Sequence, residues 1–461
     1  MRSAYLTLGI VCLLLLSACG IGGSSDNDDT PTATTAATPA TEAATAASTQ
    51  PPASPASPAS TATTEAASPT ATDGAEPTQA GIDPDLADEI AEIEREMVNI
   101  RGLELREDVP ITVISREELR QNLIEDVTAD YSQEEADQDT SALWLLRLIE
   151  DPTLDLYAFQ IDLLSEQVLG YYDPELDEMF IVSEADGLSA LAEFTLAHEL
   201  VHAAQDQHFN LMEVRFYDQG DADRDTAAVA VIEGDAEMVQ LRYIETMDPA
   251  ALLELLTEAG TLSSEVVDYA PPYLRESLYF PYEDGNAFVQ NFYQQGGFAA
   301  IDEIFADPPV STEQILHPEK YRDQRDDPQP VDLPDLTGAL GAGWAELDTD
   351  SLGEFDLSIL LRENGALNDD EAAAGWGGGR YAYYESDAGA LIAVKTVWDS
   401  PADATEFYEA MLATLNGPLD GEIGDAGQGR FLGLREADDA VWFITSTDRA
   451  AVEAALAGVG A

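Results

Sequence analysis

Apolar positions take up regular rhythms only beyond about residue 82. Ile90, Ile93, Met97 and Ile100 recur at helical spacing behind Asp83-Pro84, an N-cap followed by a first-turn proline. Ile111-Thr112-Val113-Ile114 reads as a strand, and Ser115 with Glu118 makes a capping box for a second helix. Helices are predicted over 141–149 and 154–167. Two short strands, 168–172 and 179–182, flank the turn residues Asp173-Pro174-Glu175. Gly187 and Ser189 then open a helix reaching about Gln207, with Leu191, Phe194, Leu200 and Val201 to bury one side. A second long helix is predicted over 225–247, packing through Val229, Ile232, Ala236 and Val239. Shorter ones follow at 250–258, 286–295 and 298–305.

The polar stretch 323–335 carries three prolines and marks a boundary between a domain at 82–325 and another at 336–461. In the second, strands at 380–384, 390–397, 431–434 and 440–445 alternate with helices at 401–415 and 449–456. That order suggests a small antiparallel sheet backed by helices. The fold class is therefore α+β: a largely helical domain with a small sheet, then a small C-terminal α+β domain. Gly375-Trp376-Gly377-Gly378-Gly379-Arg380-Tyr381 lacks the spacing and lysine of a phosphate loop, and reads as a bulged turn entering a strand.

The N-terminal end is different. Residues 1–18 have Arg2, an apolar core from Leu6 to Leu16 and then small residues, the pattern of a secretory signal. Leu16-Ser17-Ala18-Cys19 resembles a bacterial lipobox, which implies cleavage before Cys19 and a lipid on its sulfur; ordinary signal cleavage nearby is the alternative. Residues 19–81 are rich in Thr, Ala, Ser and Pro and cannot bury enough apolar surface to order themselves, so they read as a disordered tether. The expected location is the extracytoplasmic face of the cell membrane, held by lipid. The only cysteines are Cys12 and Cys19, so the processed body has no thiol for a disulfide or a metal.

Acidic residues number 90 against 20 basic, a net charge of −70, scattered rather than blocked. Such a surface repels phosphates and excludes nucleic acid as a partner.

One pentapeptide carries chemistry. His198-Glu199-Leu200-Val201-His202 lies in the helix after Ser189, in a chain with only four histidines. Residues i and i+4 project from one helix face, so both imidazoles can grip one ion with Glu199 beside them. Two His bind zinc in this arrangement, and the Glu serves as general base. A catalytic zinc takes three protein ligands, and without cysteine the third must be a carboxylate or a distant His. Glu233 is preferred, because the adjoining Gly234 would let its helix approach the first closely. His208 falls off the metal-facing side and reads as a helix-end residue.

His198-Glu199-Leu200-Val201-His202 followed by Glu233-Gly234-Asp235-Ala236 resembles the gluzincin zinc-metallopeptidase pattern. The longer run 198–209, Phe280-Pro281-Tyr282-Glu283-Asp284-Gly285 and 311–321 resemble a poorly characterised group of bacterial lipoproteins with that core. The resemblance implies a zincin-like domain, zinc (Zn2+) on His198, His202 and Glu233, Glu199 as general base, and a peptide or protein substrate. Thermolysin-like members place an Asp four residues after the third ligand to support a zinc His; this chain has Glu237 there. His317 and Tyr282 are candidates for the group that donates to the oxyanion, and Asp206 for a residue supporting the site. In zincin folds an edge strand ahead of the zinc helix aligns an extended substrate, and 179–182 occupies that place in sequence; an ordinary core strand of the same sheet is the other reading, and the two are not exclusive. The competing readings are a zincin-like lipoprotein that binds peptides or a partner without turnover, and a solute-binding or surface-assembly lipoprotein in which the pentapeptide is accidental.

Overall fold

The computed structural model describes residues 84–182, 187–215 and 220–460, and a short strand at Val11–Leu13. The rest of the signal segment, Cys19 and the tether lie outside the described residues. No helix among those described is long and apolar enough to cross a membrane.

The chain is mixed α+β. The strand β1 (Val11–Leu13) precedes helix α1 (Pro84–Arg101). Helix α1 buries Leu86, Ile90, Ile93 and Met97, and its stripe ends on Arg101 rather than on Ile100. After β2 (Ile111–Ile114), the Ser115–Glu118 capping box opens α2 (Arg116–Asp130) in both directions. A second box, Ser132 with Glu135, starts α3 (Gln133–Leu146) well before its apolar pattern begins. Helix α4 (Leu156–Gln167) runs straight into β3 (Val168–Asp173) and β4 (Glu178–Val182). The Asp173 carboxylate accepts from the N–H groups of Glu175 and Leu176 and shapes their turn.

Helices α5 (Ala190–Phe209), α6 (Leu211–Val214), α7 (Ala222–Ile244), α8 (Pro249–Ala259) and α9 (Glu265–Asp268) follow. Then come α10 (Pro272–Gly296), α11 (Phe298–Ala306), α12 (Thr312–Leu316), α13 (Pro318–Tyr321) and α14 (Thr337–Leu340). The helix predicted over 286–295 is thus the last part of α10, which passes through Pro281. Buried Tyr273, Phe280, Tyr282 and Phe288 along it outweigh the roughly 3 kcal/mol that an interior proline costs. Tyr282 therefore stands on a helix.

The sheet order is β1-β3-β4-β2. Strand β4 pairs parallel with β2 and antiparallel with β3, so 179–182 is an inner strand and not the expected edge. The short apolar segment 111–114 takes the side that the edge reading needed open. Strand β3 is the other inner strand, and β1 pairs on its far side through Val11–Tyr171 and Leu13–Val168.

The last third forms a second sheet, order β5-β6-β7-β10-β9-β8 and antiparallel throughout. Its strands are β5 (Ala345–Ser351), β6 (Trp376–Ser386), β7 (Gly389–Trp398), β8 (Ile423–Asp425), β9 (Phe431–Ala437) and β10 (Ala440–Ser446). Helices α17 (Pro401–Ala413) and α18 (Arg449–Gly458) pack on it, while α15 (Glu354–Glu363) and α16 (Asp369–Ala373) pack against each other and α16 against α17. The glycine run enters β6 with the anticipated bulge, between Trp376 and Gly378. Strand β5 carries five polar side chains and gave no apolar signal.

The described residues from 84 to 460 belong to one compact unit, with no division at 323–335. One hydrophobic core runs from Leu119 and Tyr171 through Phe280 and Phe288 to Trp398, Leu434 and Phe443. The proline-bearing connection is strapped down: Gln329 N–H donates to Gly377 O at 2.6 Å.

Candidate metal centre

Helix α5 is buried over most of its length, between the α1 stripe and the core side of α7. Ser189 caps it by accepting from Ala192 N–H, so the pentapeptide sits mid-helix, where the backbone is most regular. His198 and His202, one turn apart, are fully buried, and their Nε2 atoms are 2.9 Å apart. Their rings meet edge to face at 4.5 Å between centroids. From the middle of α7, Glu233 brings Oε2 to 3.2 Å from His198 Nε2 and 3.4 Å from His202 Nε2.

These separations test the fit of an ion. Zinc–nitrogen and zinc–oxygen bonds of about 2.0–2.1 Å in a tetrahedron put neighbouring donors about 3.3 Å apart. Both His–Glu separations match, and the His–His separation is a few tenths of an ångström shorter. Two imidazoles and one carboxylate are also a donor set that suits zinc. Burial alone would push the Glu233 carboxyl up, but His202 and His198 outweigh it and hold the group down to about 2. The carboxylate is therefore the form present at neutral pH.

Glu199 is buried on the same helix, and its Oε2 accepts the backbone N–H of Tyr172 at 2.8 Å. That bond ties the carboxylate to β3. The Tyr172 hydroxyl donates to Asp206 at 2.9 Å, and Leu211 N–H donates to the other Asp206 oxygen at 2.8 Å. Asp206 thus steadies Tyr172, the residue that holds Glu199, and contacts neither histidine through these bonds.

Glu237 lies one turn after Glu233 and is partly buried. Desolvation pushes its carboxyl up to about 7, opposed by His198 and assisted by Glu233. His198 Nδ1 has no hydrogen-bond partner among the described residues, so the supporting bond expected from Glu237 is not formed. The Tyr282 ring lies 6.4 Å from the His198 ring, centroid to centroid. His317 is committed elsewhere: its Nε2 lies 2.8 Å from Glu354 Oε1, and that hydrogen bond raises its pKa. His208 Nε2 lies 2.8 Å from Glu104 O, at the helix end.

Three residues at the centre were missed in the sequence. His202 Nδ1 lies 2.9 Å from Gln205 Oε1. Gln205 Nε2 donates to Asp235 at 3.0 Å, and Asp235 receives Arg101 Nε at 2.9 Å. The available signals were an i, i+3 glutamine after His202 and an arginine in the apolar stripe of α1. Gly234 also acts differently from its reading. A Cβ there would meet Gly285 of α10 at 2.3 Å, so the glycine admits α10 and not α5.

A second acidic cluster, Glu313, Asp326 and Asp399, surrounds Lys320 Nζ at 2.6, 3.4 and 2.9 Å. The ammonium already occupies the place of a cation, and the cluster ties α12 and α13 to the second sheet.

Comparison with known proteins adds little about this centre. Residues 342–457 match the family model described as domain of unknown function DUF8575. No curated protein matches the chain. A crystal structure from Chloroflexus aurantiacus, described as that of a candidate hydrolase with a novel fold, resembles it with a TM-score of 0.35 at 19% identity. The match covers 54% of this chain and 93% of that one.

Proposed function

We propose that this protein is a zinc-dependent peptidase of gluzincin type, held by a lipid on Cys19 at the extracytoplasmic face of the membrane. The observation that carries the reading is the meeting of His198 Nε2, His202 Nε2 and Glu233 Oε2, all within 4.8 Å of one another and all buried. A structural explanation for three such groups in one dry pocket is poor, since each would need its own partners. Zinc, when bound, would supply a Lewis acid that polarises a carbonyl and makes water a better nucleophile at neutral pH.

The chain's own residues account for the remainder. His198, His202 and Glu233 would hold the ion. Glu199, pinned by Tyr172 N–H, would take the proton of the attacking water and return it to the leaving amine. Tyr282, beside His198, is better situated to donate to a developing oxyanion than His317, which is paired with Glu354. Removal of residues 1–18 by signal cleavage would leave the outer side of β3 open for an extended peptide to pair. The segment 11–13 already pairs there in extended form.

The test uses residues 82–461. The parent and Glu199→Gln should both bind about one zinc per chain, because Glu199 is not a ligand. Only the parent should cleave a diverse peptide library, and chelator should abolish that cleavage. Zinc binding without cleavage of any peptide would favour the non-catalytic binding reading. Cleavage undiminished in Glu199→Gln would refute the assignment.

A further inference from the structure

We infer that Gln205 is a positioning residue for the metal centre, one that fixes the tautomer of His202 through a buried relay ending on helix α1. The inference rests on the zinc reading above for its purpose, but its geometry stands independently.

The argument begins with the amide of Gln205, which is fully buried. Its Nε2 lies 3.1 Å from Ile232 O and 3.0 Å from Asp235 Oδ2. A backbone carbonyl can only accept, and so can an ionised carboxylate. Both N–H groups of the amide are thereby used, and the nitrogen must be at that end of the side chain. The oxygen is left facing His202 Nδ1 at 2.9 Å. An amide oxygen only accepts, so Nδ1 must carry the proton. The lone pair of His202 is then confined to Nε2, the atom facing His198 and Glu233.

The relay continues away from the site. Asp235 shares Oδ2 between Gln205 and the Nε of Arg101, and Arg101 reaches Asp302 with Nη2 at 2.9 Å. Arg101 and Asp235 are both buried, and the guanidinium also lies over the Phe298 ring at 4.7 Å. Arg101 Nε and Gln205 Nε2 thus converge on one oxygen of Asp235, and the backbone carbonyl of Ile232 holds the amide nitrogen at that end. Helix α1 is thus connected to the orientation of one metal ligand.

The test has two readouts on the full-length chain. With only four histidines in the chain, nitrogen-15 spectra of the imidazoles are sparse enough to assign by substitution. At pH 8 the metal-free parent should show His202 as the Nδ1–H tautomer. Gln205→Leu should lose that preference while keeping a cooperative melting transition, and its zinc affinity, read by competition with a chromophoric chelator, should fall 10–100-fold, about the range for loss of a partner behind a ligand. If Gln205→Leu does not fold, the parent's tautomer alone decides. An Nε2–H tautomer in the parent overturns the inference, as does a folded Gln205→Leu that binds zinc within about threefold of the parent. A parent that binds no zinc sinks the peptidase reading instead, and the tautomer still decides the role of Gln205.

Discussion

Gly234 and Gly285 face each other where α7 crosses α10, so closely that a Cβ on Gly285 would lie 2.1 Å from Ala230 O. Asn286 adds a hydrogen bond to Gly234 O across the same crossing at 3.3 Å. One helix carries Glu233 and the other Tyr282, so the crossing sets the distance between a candidate ligand and a candidate donor. Gly285→Ala should push the helices apart. It is expected to lower stability by about 1–3 kcal/mol, as overpacking does, and to weaken zinc binding as Glu233 shifts. Melting temperature and chelator competition on the same preparation check both. Unchanged values would mean that the crossing yields freely.

The extent to which this was legible in the sequence follows from the range of each interaction. The His198–His202 pair and the Ser115 box are set by helical spacing within a few residues: the two imidazoles share one face of α5, and the box forms. Glu233 needed a second helix, and the clue used for it, Gly234, pointed at the wrong neighbour. The proline at 281 and the polar strand β5 misled for one reason: tertiary burial and pairing override local signals there. Gln205 was readable by spacing but not by purpose, because its role depends on Asp235 and Arg101, far away in sequence. The inner position of β4 depended on which strand paired beside it, and periodicity carries no such information.

The second sheet holds the start of α7 in place. Asp350 accepts Ala222 N–H at 2.8 Å and Ser351 Oγ accepts Asp223 N–H at 2.9 Å, satisfying helix N-terminal donors from β5. A chain ending at residue 325 should therefore fail as an independent peptidase domain, showing no cooperative melting and little zinc affinity. In the intact chain Asp350→Ala should cost about 1 kcal/mol, the usual value of a lost N-terminal cap. A truncated chain that melts cooperatively and binds zinc like the parent would show that the first part folds alone.

Asp139 gives the stability a pH dependence. It is buried with Tyr131 Oη donating to it at 2.8 Å, and burial pushes its carboxyl from 3.8 up to about 6. The folded state therefore holds this proton more tightly than the unfolded state. Its contribution is fully present below about pH 3.8 and is lost as pH rises through about 6, a difference of about 3 kcal/mol. Asp139→Asn should remove that dependence, raising stability relative to the parent at pH 7.5 and leaving little difference near pH 4. Urea midpoints of both proteins at the two pH values measure it. A parallel shift at both would assign the effect to packing.

Tyr282 and His317 can be separated by their partners. The Tyr282 ring lies 6.4 Å from that of His198, whereas His317 is bound to Glu354 on α15. Removing a hydroxyl that donates to an oxyanion lowers kcat by about 10²–10³, while a residue that only joins two elements acts mainly through stability. Tyr282→Phe should therefore keep zinc and the melting temperature and lose peptide turnover mostly in kcat. His317→Asn removes the ring nitrogen that meets Glu354 Oε1, on a buried acid whose other oxygen, Oε2, has no hydrogen-bond partner among the described residues. It should lower the melting temperature and leave kcat at 25 °C within about tenfold of the parent. The opposite pattern, a stable His317→Asn with turnover abolished and an active Tyr282→Phe, would move the donor to His317 and require the α12–α15 seam to open toward the metal centre during the reaction.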